Sequence, residues 1–449
     1  MESKELSMTE VFALSIAAVA PSGAMAFNTT TTATVAGINV PISFLLGSIA
    51  ILAVGFCFAE MSKNIAGEGS VYAYNKAALG DKAGFITGWA LILTYLAYSG
   101  GVSGIIADIG QVFFKELGIN VSTTLIAISS ILVAWIISFF GLKLTTRIAL
   151  VLEIISILTL TIISTVIIIK GGAAGLSMKP LVVQGNNLSG IGQGMIFAIL
   201  CFAGFEGSST IAMRSKNPKK AVPFAVIATV VIAAIFYIYV SYAQVIGFGI
   251  SNIHKLATSA APLDTLAVTY TGKLSAIFID FATFISGFAC LLGTLNACAY
   301  MLHAMSKKGY LFKYLGKFNS KLDSPKNAVD TVAIFCLIIY ATWGSIVGPE
   351  EIYTQLATLG TLSLLIVYML VCLGTIFYFK KNPQLGNSFF KHVLIPIFGI
   401  VILLIPLWSN LYPVPAFPLN IMPYIVVIWF LVGFWINKKY ENMNVITTK

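Results

Sequence analysis

Charge is what this chain has least of. Asp, Glu, Lys and Arg make up 10% of its 449 residues, and histidine occurs three times. Soluble globular domains carry about a quarter charged residues, so that class is excluded. Cys57, Cys201, Cys290, Cys298, Cys336 and Cys372 all fall inside apolar segments with no paired spacing. That pattern excludes a disulfide framework and a metal site, and leaves small packing residues. No nucleophile–base pair, nucleotide loop or metal-ligand spacing appears, so neither an enzyme nor a cofactor is expected. Residues Met1 to Thr9 lack the basic region of a cleaved signal peptide.

What is present is apolar: 58% of residues are hydrophobic and the mean hydropathy is +0.92. Twelve apolar segments are read at about 10–36, 40–62, 84–113, 122–141, 146–169, 190–213, 222–247, 274–304, 328–347, 353–379, 391–409 and 419–437. A span needs ~20 such residues. The expected fold is therefore an all-α polytopic membrane protein of 12 transmembrane helices forming one transporter-sized domain. With the N-terminus in the cytoplasm, 22 of the 27 Lys and Arg fall on the inside, which supports twelve spans with both termini cytoplasmic in the cell membrane. The net charge of +10 is thus a matter of topology, not of nucleic-acid binding. Lys307–Lys326, with six lysines and interleaved aromatics, reads as a solvated loop at anionic lipid headgroups. The stretch Lys63–Lys82 reads as a short helix on the same face.

Two segments carry interruptions. Val19 to Phe27 reads Val-Ala-Pro-Ser-Gly-Ala-Met-Ala-Phe, with Pro21 and Gly23 in mid-run. Proline removes a donor and clashes with the preceding turn, so the helix is expected to break or kink there. In hydrocarbon, freed backbone groups are tolerated only against protein, water or a ligand. The sixth segment has Gly204 and Gly207 flanking Glu206, followed by three hydroxyls. Helices 1 and 6 cross in opposite directions, as a 5+5 inverted repeat requires: about 10–169 and 190–379, with helices 11 and 12 in 391–437. Paired breaks of this kind point to a midplane transport site. The second half of helix 1 offers amides and a positive dipole end to a carboxylate, and unwound carbonyls suit an ammonium.

The run from Gly204 to Val226, GFEGSSTIAMRSKNPKKAVPFAV, resembles the sixth helix and following loop of the amino acid–polyamine–organocation superfamily of permeases. Three other stretches agree: Glu60 with Gly67-Glu68-Gly69-Ser70-Val71-Tyr72, Gly141 to Arg147, and His303 to Gly309. The resemblance covers about the first 330 residues. It implies a LeuT-like fold and secondary transport, by symport, antiport or exchange, of a small amino acid or amine. The substrate carboxylate would meet the amides around Pro21, at Ser22, Gly23 and Ala24. The ammonium would meet carbonyls near Val19, Ala203 and Gly204. Phe202 and Phe205 would gate or line the site, or pack. Proton-coupled relatives carry a lysine in helix 5 where this chain has Ser156, and their usual arginine at the end of helix 8 is Tyr300 here. Coupling to H+ or Na+, or plain exchange, stays open; Ser156 and Ser286 are the candidate ion site.

Ionisable groups inside spans are functional candidates. Glu206 is expected to titrate during gating or to cap freed amides. Glu153 would carry a proton or pair with Arg147. Asp108 and Asp280 are expected at watered helix ends, and His303 in packing. An amine or polyamine permease is the runner-up; a polyamine site would want more carboxylates. A channel would show a polar ring. The expected partners are the lipid bilayer and a small-molecule substrate, in a monomer or homodimer.

Overall fold

The computed structural model describes residues 7–65, 71–140, 142–183, 187–206, 215–259, 261–321, 324–386 and 388–447. Residues 67–70 of the second-loop motif, Gly141, Gly207 with the hydroxyls after it, and Arg214 lie outside these.

Among the described residues the chain is helical, with no strand and one isolated bridge, Asn319 to Ser324. The helices used below are α1 (Met8–Val19), α2 (Pro21–Ala36), α3 (Val40–Asn64), α4 (Val71–Leu79), α5 (Asp81–Glu116), α6 (Thr123–Ser138), α7 (Leu142–Ile169), α8 (Leu188–Leu200) and α9 (Pro218–Phe248). They continue with α10 (Ile253–Ala257), α11 (Pro262–Tyr270), α12 (Lys273–Lys307), α13 (Lys326–Ile339), α14 (Pro349–Lys381), α15 (Ile395–Ser409) and α16 (Met422–Thr447).

Among the described residues, nine helical stretches are long and apolar enough to cross a membrane, where hydropathy alone counts twelve segments. The difference has physical causes. α2 and α3 run together as Pro21–Asn64 because only a 3₁₀ turn, Gly37–Asn39, separates them. α6 and α8 have 16 and 13 residues, short of the ~20 needed to cross.

α5 is the central helix, with 94% of its apolar window buried; the last stretch, Leu419–Lys438, has 22% buried and forms the rim. α5 packs along α12 and α14, α9 along α3, and α7 along α12. Outward-facing Ile162, Leu274, Phe278 and Trp435 are exposed, a rim suited to hydrocarbon rather than water. α4 is the short helix expected between Lys63 and Lys82. It is no surface float: Tyr72 and Tyr74 are buried, and it packs on α5 and α14.

Candidate functional site

Pro21 begins the site. It has no N–H for the carbonyl of Ala17, and it bars the preceding residue from the right-handed helical region. Ala20 accordingly adopts φ 45° and ψ 60°, the one non-glycine residue with positive φ among those described. For an alanine this costs roughly 1–2 kcal/mol. Such strain collects at working sites. The helix is thus broken at a single residue, one position before the proline.

Across the turn only two ladder bonds survive, Ala20 N to Ile16 O (3.3 Å) and Ala24 N to Ala20 O (3.2 Å). Ser22 N donates instead to Glu153 Oε1 at 2.8 Å, and Gly23 N to Ser286 Oγ at 2.8 Å. Ser286 Oγ donates onward to Glu153 Oε2 at 2.5 Å. The carbonyls of Ala17, Ala18 and Val19 therefore lose their helical donors, the first to proline and the others to α7 and α12. Of the three amides assigned to a substrate carboxylate, two are held by the chain's own side chains and Ala24 stays in the helix.

Glu153 is fully buried, and both carboxylate oxygens face the break. The expected contact to Arg147 lies outside the described side chains. Ser156 Oγ bonds the carbonyls of Leu152 (2.9 Å) and Ala282 (2.7 Å), tying α7 to α12. It shares no partner with Ser286, so the two serines expected at one ion site make separate contacts.

The second break follows α8. Cys201 to Glu206 run as tight turns, with Ala203 N on Leu200 O (2.9 Å) and Phe205 N on Phe202 O (3.1 Å). Gly204 stands at φ 106°, a region that only glycine enters without strain. Its N–H donates to Glu206 Oε2 at 3.2 Å. The buried Glu206 also accepts from Tyr95 Oη (2.7 Å, α5) and Tyr368 Oη (3.3 Å, α14). It thus caps a freed amide and joins three elements. Tyr95→Phe should lower stability by about 1.5–3 kcal/mol, the worth of a hydrogen bond to a charged group. Chemical denaturation of the detergent-solubilised protein measures this; Tyr368→Phe, with the longer bond, should cost less.

Between the breaks lies a cavity of about 50 Å³, room for a few waters. Val19, Gly23, Ala24 and Ala203 line it. Ala20, Leu200 and Cys201 complete the two breaks. Pro21, Ser22 and Gly204 stand just behind the lining. Phe202 and Phe205 do not reach it. They are fully buried, Phe202 against Tyr237 (4.9 Å) and Phe205 against Phe58 and Tyr368 (5.3 and 5.6 Å between centroids).

Sequence reasoning missed the opposite wall, built by Tyr98, Val102 and Ile105 of α5 with Tyr353 and Ala357 of α14. Tyr353 Oη donates to Asn28 Oδ1 (2.8 Å), and Tyr98 Oη pairs with Thr361 Oγ1 (3.0 Å). The small pair Gly100-Gly101 beside Tyr98 was the available signal. Asp280 corrects another expectation: at 2% exposed it is buried, not watered.

The amino acid permease family model matches residues 6–433. A branched-chain amino acid permease, BcaP, of Lactococcus lactis is 27% identical over 434 residues, covering 91% of this chain and 88% of that protein. BcaP of Bacillus subtilis is 26% identical, covering 86% and 83%. A methylthioribose transporter of Bacillus subtilis is 25% identical, covering 98% and 95%. These relatives are transporters, not enzymes. With a match that runs from the first helix into the last, the chain belongs to the amino acid permease family of the amino acid–polyamine–organocation superfamily, a multi-span membrane transporter.

Proposed function

We propose that the protein is a secondary transporter of the cell membrane for a small neutral amino acid with an apolar side chain, working by alternating access. The observation that carries this is the cavity set between two helix breaks, with the stripped carbonyl of Val19 on its wall. An ammonium needs such carbonyls. The walls of Val102, Ile105, Leu200 and Ala357 suit an aliphatic side chain. The branched-chain permeases among its relatives favour the same substrate class.

Twelve crossings with both termini inside, and two inverted repeats, belong to the same reading. Packing supports the repeat. Four pairs of helices five crossings apart are packed together: α2 on α8, α3 on α9, α5 on α12 and α6 on α13; the fifth pair, α7 and α14, is not closely packed.

Glu153 gives the reading its coupling. It occupies the amides where the substrate carboxylate is expected. Two ionised carboxylates ~4 Å apart repel by about 4 kcal/mol at an effective dielectric constant near 20. That is about a thousandfold in affinity. Glu153 must take a proton, and loosen its hold on Ser22, when the substrate arrives. Among the described residues the groups around it are Ser22, Ser286, Tyr237 and Cys290, none of them a fixed positive charge.

One observation favours a second substrate class. With Glu153 filling the carboxylate position, a solute lacking a carboxylate would also fit, and one relative is named for methylthioribose. Thermal-shift titration of the purified protein separates the two. Leucine, isoleucine or valine should raise Tm saturably, while isoamylamine and methylthioribose should not. Stabilisation by isoamylamine or methylthioribose without any by the amino acids would overturn the amino acid reading.

A further inference from the structure

A second group of acidic residues lies apart from the cavity. Glu116 ends α5, Asp264 sits in the first turn of α11, and Asp280 lies in the second turn of α12. Each offers one carboxylate oxygen, and the three oxygens all lie within 4.8 Å of one another. Three like charges held this close, on three separate elements, need a reason.

Two bland explanations fail on contacts. The first is neutralisation by lysine or arginine. No ion pair joins such a residue to any of the three among the described residues; Lys273 acts on Glu116 only at longer range. The second is shared protons. Protonated carboxyls would hydrogen-bond to one another, yet Glu116 Oε2, Asp264 Oδ1 and Asp280 Oδ2 are each buried without a hydrogen-bond partner. Asp280 decides the matter. The residue is only 2% exposed, its Oδ2 has no hydrogen-bond partner, and one of its carboxylate oxygens lies within 4.8 Å of one from each of the other two acids. A buried anion without a donor is costly unless a cation meets it.

We infer that Glu116, Asp264 and Asp280 form a calcium site that clamps α11 to the ends of α5 and α12. The donor set is all oxygen and all carboxylate, which selects a hard cation over zinc or copper. Calcium holds oxygens at about 2.3–2.6 Å, so two of its ligands stand up to ~5 Å apart, and three oxygens all within 4.8 Å of one another fit such a shell. Magnesium keeps several waters and is usually held by one or two carboxylates, so a set of three suits it less well. Water and backbone carbonyls would fill the remaining positions.

The location gives the ion something to do. α10 and α11 form the connector between α9 and α12, and both pack on α2, the half-helix that leads away from the break. Fixing α11 to α5 and α12 holds this cover over the α2 end of the cavity. The inference does not depend on which solute is carried.

Calcium titration of the full-length protein, purified in detergent and stripped with a chelator, tests it by isothermal calorimetry. One saturable calcium site is expected, with weaker binding of magnesium and a Tm that rises with calcium. Asp264→Asn, on the half-exposed α11 where folding is least at risk, should raise Kd at least tenfold; Asp280→Asn should do the same. Absence of saturable calcium binding, or a rise below tenfold in Asp264→Asn, overturns the site.

Discussion

Glu153→Gln should uncouple the transporter. In proteoliposomes with an inward proton gradient, the wild type should accumulate its amino acid above the outside level, and the variant should only equilibrate it. Exchange of labelled for unlabelled substrate should persist in the variant. The reason lies in what the side chain holds. Gln keeps an oxygen for Ser22 N and an amide group for Ser286, whose bonds in the wild type are 2.8 and 2.5 Å, so the break survives. What disappears is the need to bind a proton before a second carboxylate arrives. The sign follows from linkage: binding that takes up a proton weakens as pH rises, by up to tenfold in Kd per pH unit. The wild type should show that slope where Glu153 is ionised, and Glu153→Gln should stay flat within about twofold. Replacing sodium by choline should change neither protein. Gradient-driven accumulation by Glu153→Gln would remove this residue from coupling, and a choline effect would return the question to Ser156 and Ser286.

The contrast between Pro21 and Glu153 shows what could be read in advance. A missing N–H is a property of one residue, so the break was legible, though Ala20 rather than the Pro21–Gly23 stretch turned out to carry the strained backbone. Gly204 was legible for the same reason. The partner of Ser22 was not. It lies 131 residues away, and nothing local to Glu153 says which way α7 presents it. Composition gave the membrane and the helices, because hydropathy is summed over each segment. It also separated 10–36 from 40–62, where the three-residue turn Gly37–Asn39 stands between α2 and α3. Asp280 failed differently. Nearness to a helix end argued for water, but α11 packs over that end and excludes it. Phe202 and Phe205 look alike whether they line a pocket or pack behind it, and only the fold separates the two.

Gly23→Val should reduce uptake more than a hundredfold while Gly23→Ala stays within about threefold of the wild type. A Cβ at Gly23 would stand 3.1 Å from Ser286 Oγ and 3.2 Å from Gly287 N. Both are tight, but relief of a few tenths of an ångström suffices for a single methyl. The gain in helix propensity from Gly to Ala, about 1 kcal/mol, offsets part of the squeeze. Valine adds two γ-carbons with a restricted χ1. They have nowhere to go except into Ser286 or into the cavity that Gly23 lines. Displacing Ser286 strips Gly23 N of its acceptor and Glu153 Oε2 of its donor together. Small residues at helix contacts in membranes serve such close approach, and here α2 must lie on α12 for the network to close. Uptake assays normalised to the amount of folded protein, judged by size-exclusion profile and Tm, separate lost function from lost protein. If Gly23→Val folds and transports at near wild-type rates, the α2–α12 contact is not where the substrate is handled, and the site must be sought away from the break at Ala20.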